Sequence, residues 1–239
     1  MPAGMAYGAL VDALGDDSEA IFKDLEVYAR PDPPPDYALE LEIEGVLRTA
    51  RDAGFERFHM VGYSAGGASS LAFAAQHPER LFSLALIEPA WMGNEGLSPE
   101  EQRVRHEIEG VMTLPPEEIL PAFVSTQLAS GVAPPPTPPG PPPPWMASRP
   151  AGLRALMRAF NASTLDLGRL SGVELPVYFA VGGRSNPDYY ARMAERAREI
   201  FSDLTVDVFA ERHHFDPPHR IEPERTAQAL RAHWARAQG

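Results

Sequence analysis

Short apolar runs alternate with segments of helical periodicity at both ends of the chain. We predict six strands from these runs, near 9–11, 25–28, 58–61, 82–87, 177–181 and 205–209. Between the second and third runs, apolar residues recur every three or four positions from Leu39 to Ala50, as in a helix that buries one face. Strands that alternate with helices are typical of an α/β fold, so we predict a mostly parallel sheet of about six strands flanked by helices.

The strand pattern lapses over 91–170, where helical patterns replace it. We predict three helical segments there, at 98–112, 116–130 and 150–162. Nine prolines lie in Pro134–Pro144, a composition that favours extended polyproline II and is typical of interdomain linkers and of ligands for proline-binding modules. Because the sheet pattern resumes afterwards, we interpret this run as a stiff strap within one fold. Residues 91–170 would then be a helical insertion between two parts of one core, 1–90 and 171–239.

The composition narrows the class of protein. The chain has 239 residues, of which 44% are apolar and 23% charged, as in an ordinary soluble domain. A net charge of −12 repels phosphate backbones and anionic lipids, so we expect neither nucleic acid nor a membrane as a partner. No apolar run approaches the roughly 20 residues that span a bilayer, and no secretory leader is recognisable, so we expect a cytoplasmic protein. The lack of cysteine excludes thiol catalysis and cysteine-based metal sites.

A serine lies between two glycines in the segment Gly62–Gly66, directly after the apolar run 58–61 and before a helical pattern. This order predicts a strand, a tight turn and a helix. Glycines beside such a turn let neighbouring backbone approach closely, so the hydroxyl of Ser64 would be presented at the carboxyl end of a strand. The motif is typical of a nucleophilic serine, which needs a general base because a free hydroxyl is a poor nucleophile at neutral pH.

The chain resembles the α/β-hydrolase superfamily from Leu10 nearly to its carboxyl terminus. Ser64 resembles the nucleophile elbow, His77–Leu81 the segment before the next strand, and Glu222–Glu224 the start of the closing helix. The resemblance implies that the helical, proline-rich insertion is a cap over an active site. It also implies acyl-transfer chemistry without a metal ion or organic cofactor.

The general base is expected among the histidines that follow the last predicted strand, His213, His214 and His219. In the superfamily, the catalytic histidine precedes a bulky apolar residue shortly after that strand. His214 is followed by Phe215, so the resemblance favours His214 and leaves His213 as the alternative.

The superfamily also has an acidic residue that orients the catalytic histidine, most commonly an aspartate after the penultimate strand. This chain departs from that pattern. Ser185 occupies that turn here, and serine does not supply the charge that orients and stabilises an imidazolium. Asp188 is nearby, but its position after Asn186 and Pro187 is explained by a helix start. Glu88 ends the strand that follows the nucleophile, where some members of the superfamily carry their acid. We therefore predict Glu88, with Asp188 as the alternative.

The negative charge that develops on the carbonyl oxygen of the substrate needs preorganised hydrogen-bond donors. The resemblance assigns the backbone N–H of Ala65 and, in the turn after the first predicted strand, the backbone N–H of Leu14. Large apolar residues are candidates for a substrate pocket, although each also fits a role in the core of the cap. They are Trp91, Met92, Phe123, Trp145 and Met146.

Together these features predict a capped serine hydrolase that acts on small or medium carboxylic esters. Two alternatives remain: hydrolysis of another bond (amide, lactone or carbon–carbon), and a binding protein that kept the elbow but lost activity. The few residues before the first predicted strand leave no room for the hairpin with which the superfamily usually begins. The predicted strand at 25–28 would then be a sheet edge, which invites a homodimer.

Overall fold

A computed structural model gives the fold and describes residues 1–16, 18–136, 139–172 and 174–237. Thr137 and Pro138, within the predicted strap, lie outside the described residues. The strands are β1 Phe58–Ser64, β2 Leu81–Pro89, β3 Val177–Gly182 and β4 Leu204–Phe209. The α-helices are α1 Ala3–Leu14, α2 Leu39–Asp52, α3 Ala65–Gln76, α4 Pro99–Val111, α5 Pro116–Thr126, α6 Arg149–Ala162, α7 Leu167–Ser171, α8 Arg192–Ile200, α9 Pro218–Ile221 and α10 Pro223–Arg236.

The four strands form one parallel sheet in the order β1-β2-β3-β4. The α/β class and the parallel sheet are confirmed. The expected number of about six strands is wrong for the part of the chain that the structure describes, which has four. The strands β2 and β3 are central and almost fully buried, as expected for parallel strands covered on both faces.

The two missing strands are helical. The predicted strand at 9–11 lies inside α1, and the predicted strand at 25–28 is a 3₁₀ helix, Glu26–Tyr28. In α1 the buried residues are Ala3, Ala6, Leu10 and Leu14, spaced three or four apart, and the helix packs against α9 and α10. That spacing fits a helix with one buried face and no alternating strand. The sheet edge predicted at 25–28, on which the homodimer prediction rested, is therefore absent.

Helices cover both faces of the sheet. On one face, α3 packs on β1 and β2, and α2 packs against α3, within the larger apolar cluster, which also takes in residues of α4 and α6. On the other face, α1 and α10 cover a smaller cluster around Ile87 and Tyr178. None of the helices in the described residues is long and apolar enough to cross a membrane.

The insertion between β2 and β3 is helical, as predicted. Helices expected at 98–112 and 150–162 are found as α4 and α6, and the one expected at 116–130 is the shorter α5. The capping box of Ser98 and Glu101 starts α4, with each side chain accepting from the other's backbone N–H. The proline-rich run is exposed on both sides of its undescribed pair and ends in a 3₁₀ turn, Pro144–Met146.

Candidate active site

Ser64 lies at the junction of β1 and α3 with a φ of 55°, a left-handed conformation that residues other than glycine seldom adopt. The close approach expected of the flanking glycines is present at Gly62, where a Cβ atom would lie 2.6 Å from the carbonyl oxygen of Gly66. A Cβ at Gly67 would lie 2.9 Å from Cα of Pro89. A larger residue at Gly62 or Gly67 would therefore push the elbow out of place, whereas Gly66 has room for a side chain.

Glu88 lies one strand away, at a bulge in β2. Tyr63 pairs with Ile87 and Ser64 pairs with Pro89, so Glu88 is the extra residue. Its φ of 44° makes it, with Ser64, one of two residues other than glycine with positive φ in the described chain. A bulge redirects a side chain, and backbone strain of this kind concentrates at functional sites. Ser64 and Glu88 both lie at the carboxyl edge of the sheet, Ser64 at the end of β1 and Glu88 near the end of β2.

The structure brings Ser64, His214 and Glu88 together. Nε2 of His214 lies 3.0 Å from Oγ of Ser64, and Nδ1 of His214 lies 3.2 Å from Oε2 of Glu88. The other carboxylate oxygen of Glu88 accepts the backbone N–H of Gly182 at 2.8 Å. His214 and Glu88 are buried, with exposed fractions of 1% and 0%. This is the connectivity of a nucleophile, a general base and an orienting acid.

Three aromatic contacts hold His214. The hydroxyl of Tyr63 donates to the backbone carbonyl of His214. The ring of Tyr190 stacks on the imidazole, with centroids 4.8 Å apart and planes 17° apart, and Phe215 meets it edge-on. Tyr190 also donates to Oε1 of Gln127 at 2.5 Å, so the face of the imidazole is linked to the segment that follows α5. Sequence reasoning missed Tyr63 and Tyr190, because their contacts with His214 join residues far apart along the chain and only the folded structure brings them together.

The alternative residues lie elsewhere. The ring of His213 accepts the backbone N–H of Phe215 at 3.2 Å, and no contact joins it to Ser64 among the described residues. Asp188 lies in the first turn of the π-helix Pro187–Ala191, where its N–H donates to the side chain of Asn186 and its carboxylate pairs with Arg103. Asp188 thus has the helix-start role that explained it from the sequence.

The loop after β3 contacts the segment that follows α5. Ser185 forms an antiparallel bridge with Leu128, just after α5. Ala129 donates to the carbonyl of Arg184 at 3.0 Å, and Asn186 donates to the carbonyl of Gln127 at 2.9 Å. The turn that carries the acid in the commonest pattern therefore ties the helical insertion to the sheet.

The two expected oxyanion donors differ in their positions. Ala65 is the first residue of α3, so its N–H has no partner within the helix and lies beside Ser64. Leu14 was assigned on the premise of a strand followed by a turn. That premise is wrong, because Leu14 is the last residue of α1, is buried, and has a carbonyl that accepts from Arg231 at 2.8 Å.

Ser64 opens into a cavity of about 1410 Å³. Of the five pocket candidates, three line this cavity: Phe123, Trp145 and Met146. Trp91 and Met92 instead belong to the buried core, where Trp91 stacks on Phe160 at 5.6 Å. The wall formed by the insertion is largely apolar and aromatic, and it comes from α4, α5, α6 and the 3₁₀ turn Pro144–Met146.

Comparisons with known proteins agree with this architecture. A family model described as alpha/beta hydrolase fold matches residues 32–137. A 2-hydroxy-6-oxo-6-phenylhexa-2,4-dienoate hydrolase of Comamonas testosteroni is 46% identical over 46 residues, which are 19% of this chain and 16% of that protein. The match therefore spans about a sixth of the relative's length.

Solved esterases share the fold over nearly the whole chain. A thermophilic esterase from Thermogutta terrifontis aligns with a TM-score of 0.70 and 19% identity over 100% of this chain and 87% of its own. An esterase from Exiguobacterium antarcticum aligns with a TM-score of 0.71 and 17% identity over 98% of this chain and 88% of its own. At these identities the likeness concerns the fold alone.

Proposed function

We propose that this chain, which has the fold of the α/β-hydrolase superfamily, is a serine hydrolase that cleaves carboxylic esters through an acyl-enzyme. The observation that carries the proposal is the hydrogen-bonded series from Ser64 through His214 to Glu88, with distances of 3.0 and 3.2 Å. Local sequence likeness to named hydrolases supports hydrolysis but does not distinguish an ester from another bond.

In the proposed reaction, Oγ of Ser64 attacks the ester carbonyl and its proton passes to Nε2 of His214. Glu88 accepts from Nδ1 of His214 and stabilises the imidazolium that forms. The protonated His214 then gives its proton to the leaving alcohol, and a water molecule repeats the steps on the acyl-enzyme. Glu88 is suited to this role because Gly182 fixes one of its oxygens and leaves the other for His214.

The apolar lining of the cavity supports esters with an apolar acyl or alcohol part, and its volume admits small and medium ones without setting that limit. Its volume of about 1410 Å³ exceeds the roughly 300–1,000 Å³ common for small-molecule sites. Phe123, Trp145 and Met146 supply an apolar wall. We expect activity on p-nitrophenyl esters to rise with acyl length up to the limit set by that wall.

A fluorophosphonate probe tests the proposal, because it reacts only with an activated serine. We expect the wild-type chain to be labelled and Ser64→Ala to remain unlabelled while keeping its fold. Asp188→Asn is a matched control that should be labelled as well as the wild type. If the folded wild-type chain resists the probe and hydrolyses no ester, the chain is a binding protein that kept the elbow, and the proposal fails.

The curated relatives favour a second candidate function, hydrolysis of a 2-hydroxy-6-oxo acid. Two hydrolases of Comamonas testosteroni that match this chain are named for 2-hydroxy-6-oxo acids, with 46% and 49% identity over short segments. The same Ser64 and His214 would serve that reaction. Turnover of 2-hydroxy-6-oxo-6-phenylhexa-2,4-dienoate faster than of any p-nitrophenyl ester would favour it over the ester.

A further inference from the structure

The proposed site needs a second oxyanion donor, because Leu14 lies at the end of α1 with its side chain in the core. Several side-chain donors that line the cavity around the elbow are already engaged. Ser69 donates to the carbonyl of Ala65 at 2.9 Å, Tyr189 donates to the carbonyl of Ala90 at 2.7 Å, and the amide of Gln127 donates to Thr126 at 2.7 Å. The hydroxyls of Ser69 and Tyr189 therefore have no proton to spare for a substrate oxygen in this conformation, whereas the amide of Gln127 uses one of its two N–H groups among the described residues.

Tyr7 contacts both sides of the nucleophile. Its hydroxyl oxygen accepts the backbone N–H of Tyr63 at 2.8 Å, one residue before Ser64. It also lies 3.9 Å from the position a Cβ would take at Gly66, two residues after Ser64. Tyr7 and Ser64 line the same cavity. The phenol oxygen is therefore anchored beside the elbow.

The proton of this hydroxyl has no acceptor among the described residues, although its oxygen accepts the N–H of Tyr63. A hydroxyl that accepts one hydrogen bond becomes a better donor of another, because the bonds polarise each other. Burial raises the pKa of Tyr7 above its usual value, so the phenol keeps its proton at neutral pH.

The ring of Tyr7 is held before any substrate arrives. It stacks on His219, with centroids 4.9 Å apart and planes 27° apart, and His219 is fully buried in α9. The helix α1, which carries Tyr7, packs against both α9 and α10. Donors that are fixed in this way stabilise a developing charge without a cost of reorganisation.

We propose that the hydroxyl of Tyr7 is the second oxyanion donor, acting with the backbone N–H of Ala65. This inference rests on the proposed serine-hydrolase function. When Oγ of Ser64 bonds to the carbonyl carbon, the π electron pair of the carbonyl moves onto its oxygen, and the serine proton goes to Nε2 of His214. Tyr7 and Ala65 each donate a hydrogen bond to that oxygen and keep their protons. The electron pair on that oxygen then re-forms the carbonyl as the bond to the alcohol oxygen breaks, and the alcohol oxygen keeps the electrons of that bond and takes the proton from Nε2 of His214.

Tyr7→Phe removes the donor and keeps the ring. We expect kcat on a p-nitrophenyl ester to fall by about 10²–10³, as for the loss of one oxyanion donor elsewhere, with little change in KM. Tyr178→Phe is the matched control: Tyr178 pairs with Asp207 at 3.1 Å, outside the cavity, and its variant should keep wild-type activity. Wild-type kcat in Tyr7→Phe would overturn the inference.

A fluorinated tyrosine at position 7 separates donation to substrate from mere support of the elbow. Fluorine makes the phenol a stronger donor and a weaker acceptor, so a catalytic donor raises kcat, whereas a residue that only accepts the N–H of Tyr63 lowers it or leaves it unchanged. A rise supports the inference, and either other result overturns it. The proposed function fails separately, since a chain without it shows no hydrolysis even with Tyr7 and Ser64 intact.

Discussion

The backbone N–H of Gly182, the last residue of β3, donates to Oε1 of Glu88 at 2.8 Å. This bond holds the carboxylate so that its other oxygen faces Nδ1 of His214. A buried carboxylate needs such partners, because an unpaired buried charge is costly. The end of one strand thus orients a side chain that a bulge in the next strand has turned toward the site.

Glu88→Gln should lower kcat by at least about a hundredfold, because the neutral amide neither fixes the imidazole tautomer nor stabilises its charged form. The equivalent change in a serine protease lowers kcat by about 10⁴. Asp188→Asn should leave kcat nearly unchanged and cost roughly 0.3–1 kcal/mol at a helix start. The measurements are kcat and the thermal midpoint of both variants. If Asp188→Asn lost most of its kcat while Glu88→Gln kept nearly all of it, the acid would be Asp188 and the assignment of Glu88 would be wrong.

His214→Ala should abolish ester hydrolysis, since it removes the only ring that lies within hydrogen-bond distance of Ser64 in the described residues. His213→Ala should retain most of the activity, because its ring contacts a backbone N–H of its own turn. Steady-state kinetics of the two variants check this. The opposite ranking would move the general base by one residue.

Two buried histidines predict a loss of stability in acid. His219 and His233 have no partner for either ring nitrogen among the described residues. Burial lowers the pKa of His219 to about 3 and that of His233 to about 4, from the value of 6.5 expected in the unfolded chain. Between pH 6.5 and these values the unfolded chain binds more protons, so the free energy of unfolding falls as the pH falls.

In that window each histidine should lower the free energy of unfolding by at most about 1.4 kcal/mol for each unit by which the pH falls. Above the window, neither histidine should change the free energy of unfolding with pH. Urea unfolding at a series of pH values from neutral to mildly acidic measures the slope. His233→Phe, which keeps a ring beside Tyr178, should flatten the curve relative to the wild type. An identical slope in that variant would show that His233 titrates normally in the folded chain.

The elbow and its neighbours were predictable because their signals are local. The spacing of Gly62 and Ser64 after an apolar run predicted a strand and a helix start. Glu88 was predicted from its place at the end of the next strand together with the resemblance to superfamily members that carry their acid there. The resemblance distinguished His214 from His213 by the apolar residue that follows it. Each of these patterns involves a few adjacent residues, so it can be compared with a known family without a structure.

The amino-terminal part was mispredicted for a physical reason. Apolar runs of three or four residues, as at 9–11 and 25–28, fit a strand and a buried turn of helix equally well. The helical spacing from Ala3 to Leu14 was present, but the strand was predicted from the short apolar run at 9–11 alone. Tyr7 was not predictable for another reason: its contact with Tyr63 joins residues 56 positions apart, and only the packing of α1 creates it.

The most direct test of the account is the mass of the enzyme during turnover. The chain is mixed with p-nitrophenyl acetate, quenched in acid within one turnover, digested and analysed by mass spectrometry, with Ser64→Ala treated in parallel. We predict that the peptide containing Ser64 gains the mass of one acetyl group in the wild type, with the group on Ser64 itself, and gains none in the variant. Hydrolysis without an acetyl group on Ser64, or with equal turnover in Ser64→Ala, would contradict the account.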